Sequence, residues 1–105
     1  MKPAFLRPQA EHDREAEVRH YRKQGGARLA VQLVTATSAA LDQIELEPGI
    51  GSPTLGKTLG IPELRSWRVT GFPLLWFYFE RGDHLDVVPL LGERQDTAAI
   101  LSGAP

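Results

Sequence analysis

The chain has 105 residues, enough for one domain and not for two, so residues 1–105 are read as a single unit. Twelve Lys and Arg stand against thirteen Asp and Glu, a net charge of −1, which excludes a generally basic nucleic-acid coat or a polyacidic tail protein. With no cysteine, disulfides, thiolate nucleophiles and cysteine-ligated metals are excluded. The 42% of hydrophobic residues supply a core that a domain of this size buries only marginally.

In chain order, residues 4–7 have the pattern of a short strand cut off by Pro8. Residues 9–24 read as a helix with Pro8 in its first turn and Gly25-Gly26 as its stop. Its inward face, Ala10, Arg14, Glu17, Val18 and Tyr21, is only partly apolar, which predicts loose packing. Residues 27–46 form a second helix with a stripe of Ala30, Leu33, Val34, Thr37, Leu41 and Ile44, ended by Pro48-Gly49, so the pair makes a helical hairpin. Residues 47–62 are rich in Gly and Pro and are expected to be a loop. Its glycines fit no phosphate-binding spacing, because Gly49-Ile50-Gly51 leads into Pro53 and not into a helix start.

From Leu64 the apolar period becomes two. A strand over 64–70 places Leu64, Ser66 and Arg68 on one face and Arg65, Trp67 and Val69 on the other. Gly71-Phe72-Pro73 is a turn. Residues 74–80 are apolar on both faces and are expected to be a central strand. After Arg81-Gly82-Asp83 a third strand covers 84–91. Pro89 cannot donate to a ladder, so that strand is expected to be an edge, to bulge, or to end there. Residues 93–101 form a short C-terminal tail. The fold class is therefore α+β: an N-terminal strand, a helical hairpin and a three-stranded antiparallel meander.

Charge is unevenly placed. Residues 1–28 carry seven bases (Lys2, Arg7, Arg14, Arg19, Arg22, Lys23, Arg28) and four acids, and Lys57, Arg65 and Arg68 lie close together in sequence. Such residues read either as solvated faces or as a basic surface for an acidic peptide or phosphate backbone. His12 and His20 are two helical turns apart, about 12 Å along the axis, too far for one metal ion. His84 is placed as an exposed cap after a turn. Trp67, Trp76, Phe77, Tyr78 and Phe79 alternate along strands and are assigned to the core in preference to base stacking. No cofactor or metal motif is present. The N-terminus lacks a signal-peptide pattern and the longest apolar run, residues 74–79, is far short of the ~20 residues of a membrane span, so a soluble cytoplasmic protein is expected.

Several stretches resemble a known family: Leu64-Arg65-Ser66-Trp67-Arg68-Val69, Gly71-Phe72-Pro73-Leu74-Leu75-Trp76-Phe77-Tyr78, and Glu93-Arg94-Gln95-Asp96 followed by Ala99-Ile100-Leu101. Ala10, Asp13, Val18 and Tyr21, with Pro48 and Gly51, agree more weakly. Together they are similar to the ParE branch of the RelE/ParE toxins of bacterial type II toxin–antitoxin operons. The resemblance implies the same element order, a toxin bound and neutralised by a ParD-like antitoxin in a hetero-oligomer, and, for the ParE branch, inhibition of DNA gyrase by binding. For the RelE branch it implies ribosome-dependent mRNA cleavage, and a degenerate antitoxin-binding copy is a third alternative. The family often reads Arg-Val-Leu-His where this chain has Pro89-Leu90-Leu91-Gly92. Losing a base and a histidine there speaks against RNA cleavage, which needs proton transfer and cationic stabilisation. On this reading Arg65, Arg68, Arg94 and Asp96 are expected to touch the cellular target, with Ile100 and Leu101 anchoring the tail. Arg14, Val18, Tyr21 and Leu33 are expected to touch the antitoxin.

Overall fold

The computed structural model describes residues 1–92, with side chains through Pro89. A four-stranded sheet runs in the order β1-β4-β3-β2, with β1 at Ala4–Leu6, β2 at Leu64–Arg68, β3 at Leu74–Glu80 and β4 at Leu85–Gly92. The three later strands form the expected antiparallel meander, and β1 adds to β4 in parallel, Phe5 opposite Asp86. Helical residues fill Pro8–Leu46 (α1), interrupted at Gly26, whose φ of 79° and ψ of −171° are not helical. An unbroken helix of 39 residues would be about 58 Å long, whereas the longest dimension of the protein is 38 Å. α1 therefore folds back at Gly26 into two arms, the hairpin that Gly25-Gly26 announces.

Pro8 occupies the first turn of α1, where its missing N–H costs nothing. Among the described residues the first arm buries only Ala10 fully. The second buries Ala30, Leu33, Thr37, Ala40, Leu41 and Ile44. Val34, expected on that stripe, is instead 45% exposed, because it lies at the seam facing the first arm and not the sheet. The hairpin covers one sheet face, where Leu74, Trp76, Tyr78, Leu85 and Val87 meet Leu33, Ala40 and Ile44. The Trp76 indole N–H donates to the Thr37 carbonyl at 3.1 Å, and the Thr37 hydroxyl donates back to the Leu33 carbonyl at 2.9 Å. Both polar groups are thereby satisfied inside the core.

The conformation at Gly26 is one that only glycine adopts readily, and a Cβ there would meet no atom. Gly26→Ala is thus a backbone test alone. It is expected to cost about 1–3 kcal/mol in urea unfolding, and an unchanged midpoint would mean the arms do not reverse there.

The expected loop 47–62 is more organised than its composition suggests. It holds a 3-10 turn at Pro48–Ile50 and a short helix at Thr54–Thr58 (α2), elements too brief to leave a periodic signal. Ser52 pairs with Ser66 through two backbone bonds of 2.8 and 2.9 Å, so the loop protects part of the β2 edge. The buried Tyr78 hydroxyl donates to the Pro48 carbonyl at 2.7 Å and accepts from the Gly51 N–H at 3.0 Å. A Cβ on Gly51 would collide with that hydroxyl.

β3 is interior, as its two apolar faces require. β4 lies between β1 and β3, and at Pro89 the bulge is the option that the pairing shows. Leu75 pairs with Leu91 but Phe77 with Val88, which leaves one extra residue on β4 around Pro89. The parallel partner β1 has already ended opposite Val87, so no ladder bond is missed on that side.

Candidate functional site

Among the described residues, two open surfaces flank the core. The first is a groove of about 410 Å³ between the arms of α1, lined by Glu11, Arg14, Glu15, Val18, Arg19 and Val34. It exists because the first arm carries too little apolar surface to close down on the second. Val18 rests on the core beneath, and Val31, one turn before Val34, is 63% exposed. Arg14 donates to the Glu11 carboxylate at 2.8 Å, a pair one helical turn apart that contributes little to stability. With two arginines and two glutamates the groove is charge-balanced, not basic.

The expected antitoxin contacts divide accordingly. Arg14 and Val18 line the groove. Tyr21 is half-buried and docks edge-on against Phe72 in the β2–β3 turn, ring centroids 5.1 Å apart, so it ties the first arm to the sheet. Leu33 is completely buried beneath the groove, and Val34, which the helical stripe had assigned to the core, lines it instead.

The second surface lies on the opposite sheet face. There Leu64, Phe77 and Val88 form a smaller cluster with Leu55, Leu59 and Ile61 of α2 and its flank. Beside it opens a cleft of about 390 Å³ lined by Arg7, Ile61, Leu64, Phe79, Arg81, Val88 and Pro89. Asp86, from β4, holds both arginines: Arg7 at 2.8 Å and Arg81 at 3.1 Å. The Arg81 guanidinium also sits 4.7 Å from the Phe79 ring centroid. Sequence reading missed this cluster because Arg7 and Asp86 are 79 positions apart; only the parallel β1–β4 pairing joins them.

The Arg7 hydrogen bond, joined by that from Arg81, lowers the Asp86 carboxyl to about 2. At neutral pH it stays ionised and is too weak a base to remove a hydroxyl proton. A depressed folded-state pKa adds stability above the unfolded value, near 4, and loses it as pH falls toward 2. Asp86→Asn is therefore expected to flatten acid unfolding over pH 4 to 2. Equal pH slopes for the two proteins, followed by circular dichroism, would contradict the ion-pair geometry.

The remaining assignments are spread apart. Arg65 and Arg68 fall on opposite sheet faces, as the period of two requires. Arg65 is turned onto the loop, its guanidinium donating to the carbonyls of Gly51 at 2.8 Å and Gly49 at 3.3 Å. It holds the loop that Tyr78 also anchors. Arg68 is exposed on the face of Leu64 and Ser66. Trp67 lies at the sheet margin, its N–H donating to Gln43 at 2.8 Å, while Trp76, Phe77 and Tyr78 are core residues. His12 and His20 are exposed, and His84 packs its ring on Phe5 at 5.5 Å and bonds Asp83. No metal-binding cluster of His, Asp and Glu occurs among the described residues. Among them no helix is long and apolar enough to cross a membrane. Arg94, Asp96, Ile100 and Leu101 lie outside the described residues.

No protein-family model and no curated protein matches the chain. Among solved structures, a chain described as "Chromosomal ParDE TA system from P. aeruginosa" is similar to it. The two are 17% identical with a TM-score of 0.73, over 88% of this chain and 96% of that one. At that identity the likeness establishes a shared ParE-like fold.

Proposed function

We propose that this chain is a ParE-like toxin of a type II toxin–antitoxin pair, that a ParD-like antitoxin neutralises it by occupying the α1 groove, and that it inhibits DNA gyrase in the cytoplasm by binding. The observation that carries the reading is the fold shared with a chain of a ParDE structure over almost the whole of both molecules. The groove adds to it: a cleft with Val18 and Val34 at its base and Val31 beside it suits the apolar face of a helix, with Arg14 and Arg19 at its rim for acidic residues. Binding is favoured over RNA cleavage by the cleft on the other face. Its apolar wall includes Pro89, and the Asp86 carboxylate that bonds its two lining arginines is locked between them. Arg68, Arg94 and Asp96 are the residues proposed to meet gyrase, with Arg65 shaping the adjoining loop.

Inducible expression, alone and together with the small neighbouring open reading frame, tests the reading. Growth arrest with filamentation and an SOS response, relieved by the neighbour, is expected. Arrest accompanied by new mRNA 5′ ends within codons would replace gyrase inhibition with RNA cleavage. Growth without arrest in both cultures would sink the toxin assignment.

A further inference from the structure

The groove between the arms of α1 is charge-balanced in sum but not along its length. Glu11 and Arg14 already pair with each other at 2.8 Å, which leaves Glu15 and Arg19. Both are exposed, and among the described residues neither side chain has an ion-pair or hydrogen-bond partner. They stand at i and i+4 with the glutamate first, the order that favours a mutual pair on a helix, yet they do not close one. Both charges are therefore available to an occupant of the groove.

Their placement gives the groove a direction. Val18 and Val34 lie eight residues to either side of the reversal at Gly26, which brings them level across the groove. Glu15 lies just under one turn before Val18, and Arg19 follows Val18 on the side toward Gly26. The two charges are about 6 Å apart along the helix axis, one on each side of the apolar floor. We propose that Glu15 and Arg19 set the direction and register of the partner helix. That helix carries a Lys or Arg against Glu15 and an Asp or Glu against Arg19, flanking the apolar residue that meets Val18 and Val34. The inference rests on the antitoxin reading of the groove and adds the charge order of its occupant. A helix entering the other way sets like charge against like at both positions, which suppresses wrong registers and wrong partners. Exclusion of water by the apolar floor makes each contact stronger than the same pair in open solvent.

The double exchange Glu15→Arg with Arg19→Glu tests the order alone, because composition and net charge stay the same. The probe is the purified product of the neighbouring open reading frame, titrated against the full-length chain. The exchange is expected to weaken binding at least about tenfold at low salt, at an unchanged urea midpoint. Raising the salt concentration should narrow that gap. A control exchange of two exposed charges away from the groove, Glu47→Lys with Lys57→Glu, should bind like the parent. Reversing the two charges that flank the partner's apolar stripe should restore binding to the exchanged chain. Parent-like binding by the Glu15 and Arg19 exchange would overturn the proposal, leaving a groove that reads apolar shape only. Equal weakening by the control exchange would overturn it too, since the overall field and not the order would then decide. A parent chain that does not bind the probe at all would instead sink the antitoxin reading, and this inference with it.

Discussion

Trp76→Ala is expected to remove about 3–5 kcal/mol of stability, the largest loss of any single core truncation in this protein. Trp76 is wholly buried in the middle of β3, between Leu75 and Phe77, and faces the second arm of α1. Truncation opens a cavity under Leu33, Leu41 and Ile44, and the helix arm, pinned at one end by Gly26 and at the other by Pro48, cannot collapse far into it. It also removes the only link between the indole and the Thr37 carbonyl. Domains of this size are stable by about 5–15 kcal/mol, so the variant should unfold at markedly lower urea and temperature. Trp76→Phe keeps most of the ring and should lose a smaller amount, mainly the hydrogen bond and a narrow void, on the order of 1–3 kcal/mol. Equal losses for the two variants would mean the hydrogen bond and not the packing dominates. A loss below about 1 kcal/mol for the alanine variant would contradict the burial itself.

The Tyr78 latch is separable from this core. Burial pushes the Tyr78 phenol above its ordinary value, with the bond to Gly51 working against that shift. Tyr78→Phe leaves the Gly51 N–H and the Pro48 carbonyl without their partner at an otherwise unchanged ring. The expected cost is about 1–3 kcal/mol, with earlier proteolysis of the 48–52 turn than of the sheet.

Much of the architecture was legible because the strong signals were local. Two glycines at a helix break, a change of period at Leu64 and a strand apolar on both faces each have a physical meaning that survives folding. What escaped was set by partners distant in sequence. The sixteen residues 47–62 look like punctuation, yet Gly56 is glycine because a Cβ would strike the carbonyls of Leu64 and Ile61, and Gly51 is glycine because of Tyr78. Pro89 left three options until the ladder showed a bulge between two paired strands. For the candidate groove, helical spacing put Arg14 and Val18 on the face that lines it but could not tell Leu33 from Val34. The two are adjacent in sequence and 100° apart around the helix, and which one is buried depends on where the first arm lies. The arginine pair on Asp86 left no sequence signal at all, since it depends on a parallel strand pairing between the first and last strands.

That distinction between Leu33 and Val34 makes the sharpest functional prediction. On the proposed function, Val34→Glu is expected to weaken the complex with the proposed antitoxin by about 100-fold or more while leaving the fold intact. Val34 is 45% exposed, so a carboxylate there stays hydrated in the free protein and costs little. Under a docked apolar helix the same carboxylate loses its water. Glu11 and Glu15 already line the groove, and Arg14 is engaged by Glu11, so among the described lining residues Arg19 is the cation left to pair with it. An imperfectly paired buried carboxylate costs several kcal/mol, and about 2.7 kcal/mol corresponds to a 100-fold change in Kd. Leu33→Ala, by contrast, should destabilise the fold by about 2–5 kcal/mol and reduce binding only through unfolding. Titration of the two variants with purified antitoxin, beside urea melts of each alone, separates the cases. On the same proposal, the Val34→Glu variant should arrest growth in cells even when the antitoxin is co-expressed, because the groove and not the proposed target-binding residues is altered. If Val34→Glu binds as tightly as the parent protein, the antitoxin lies elsewhere, and the open seam between the two arms of α1 is only the consequence of a first helix too polar to close it.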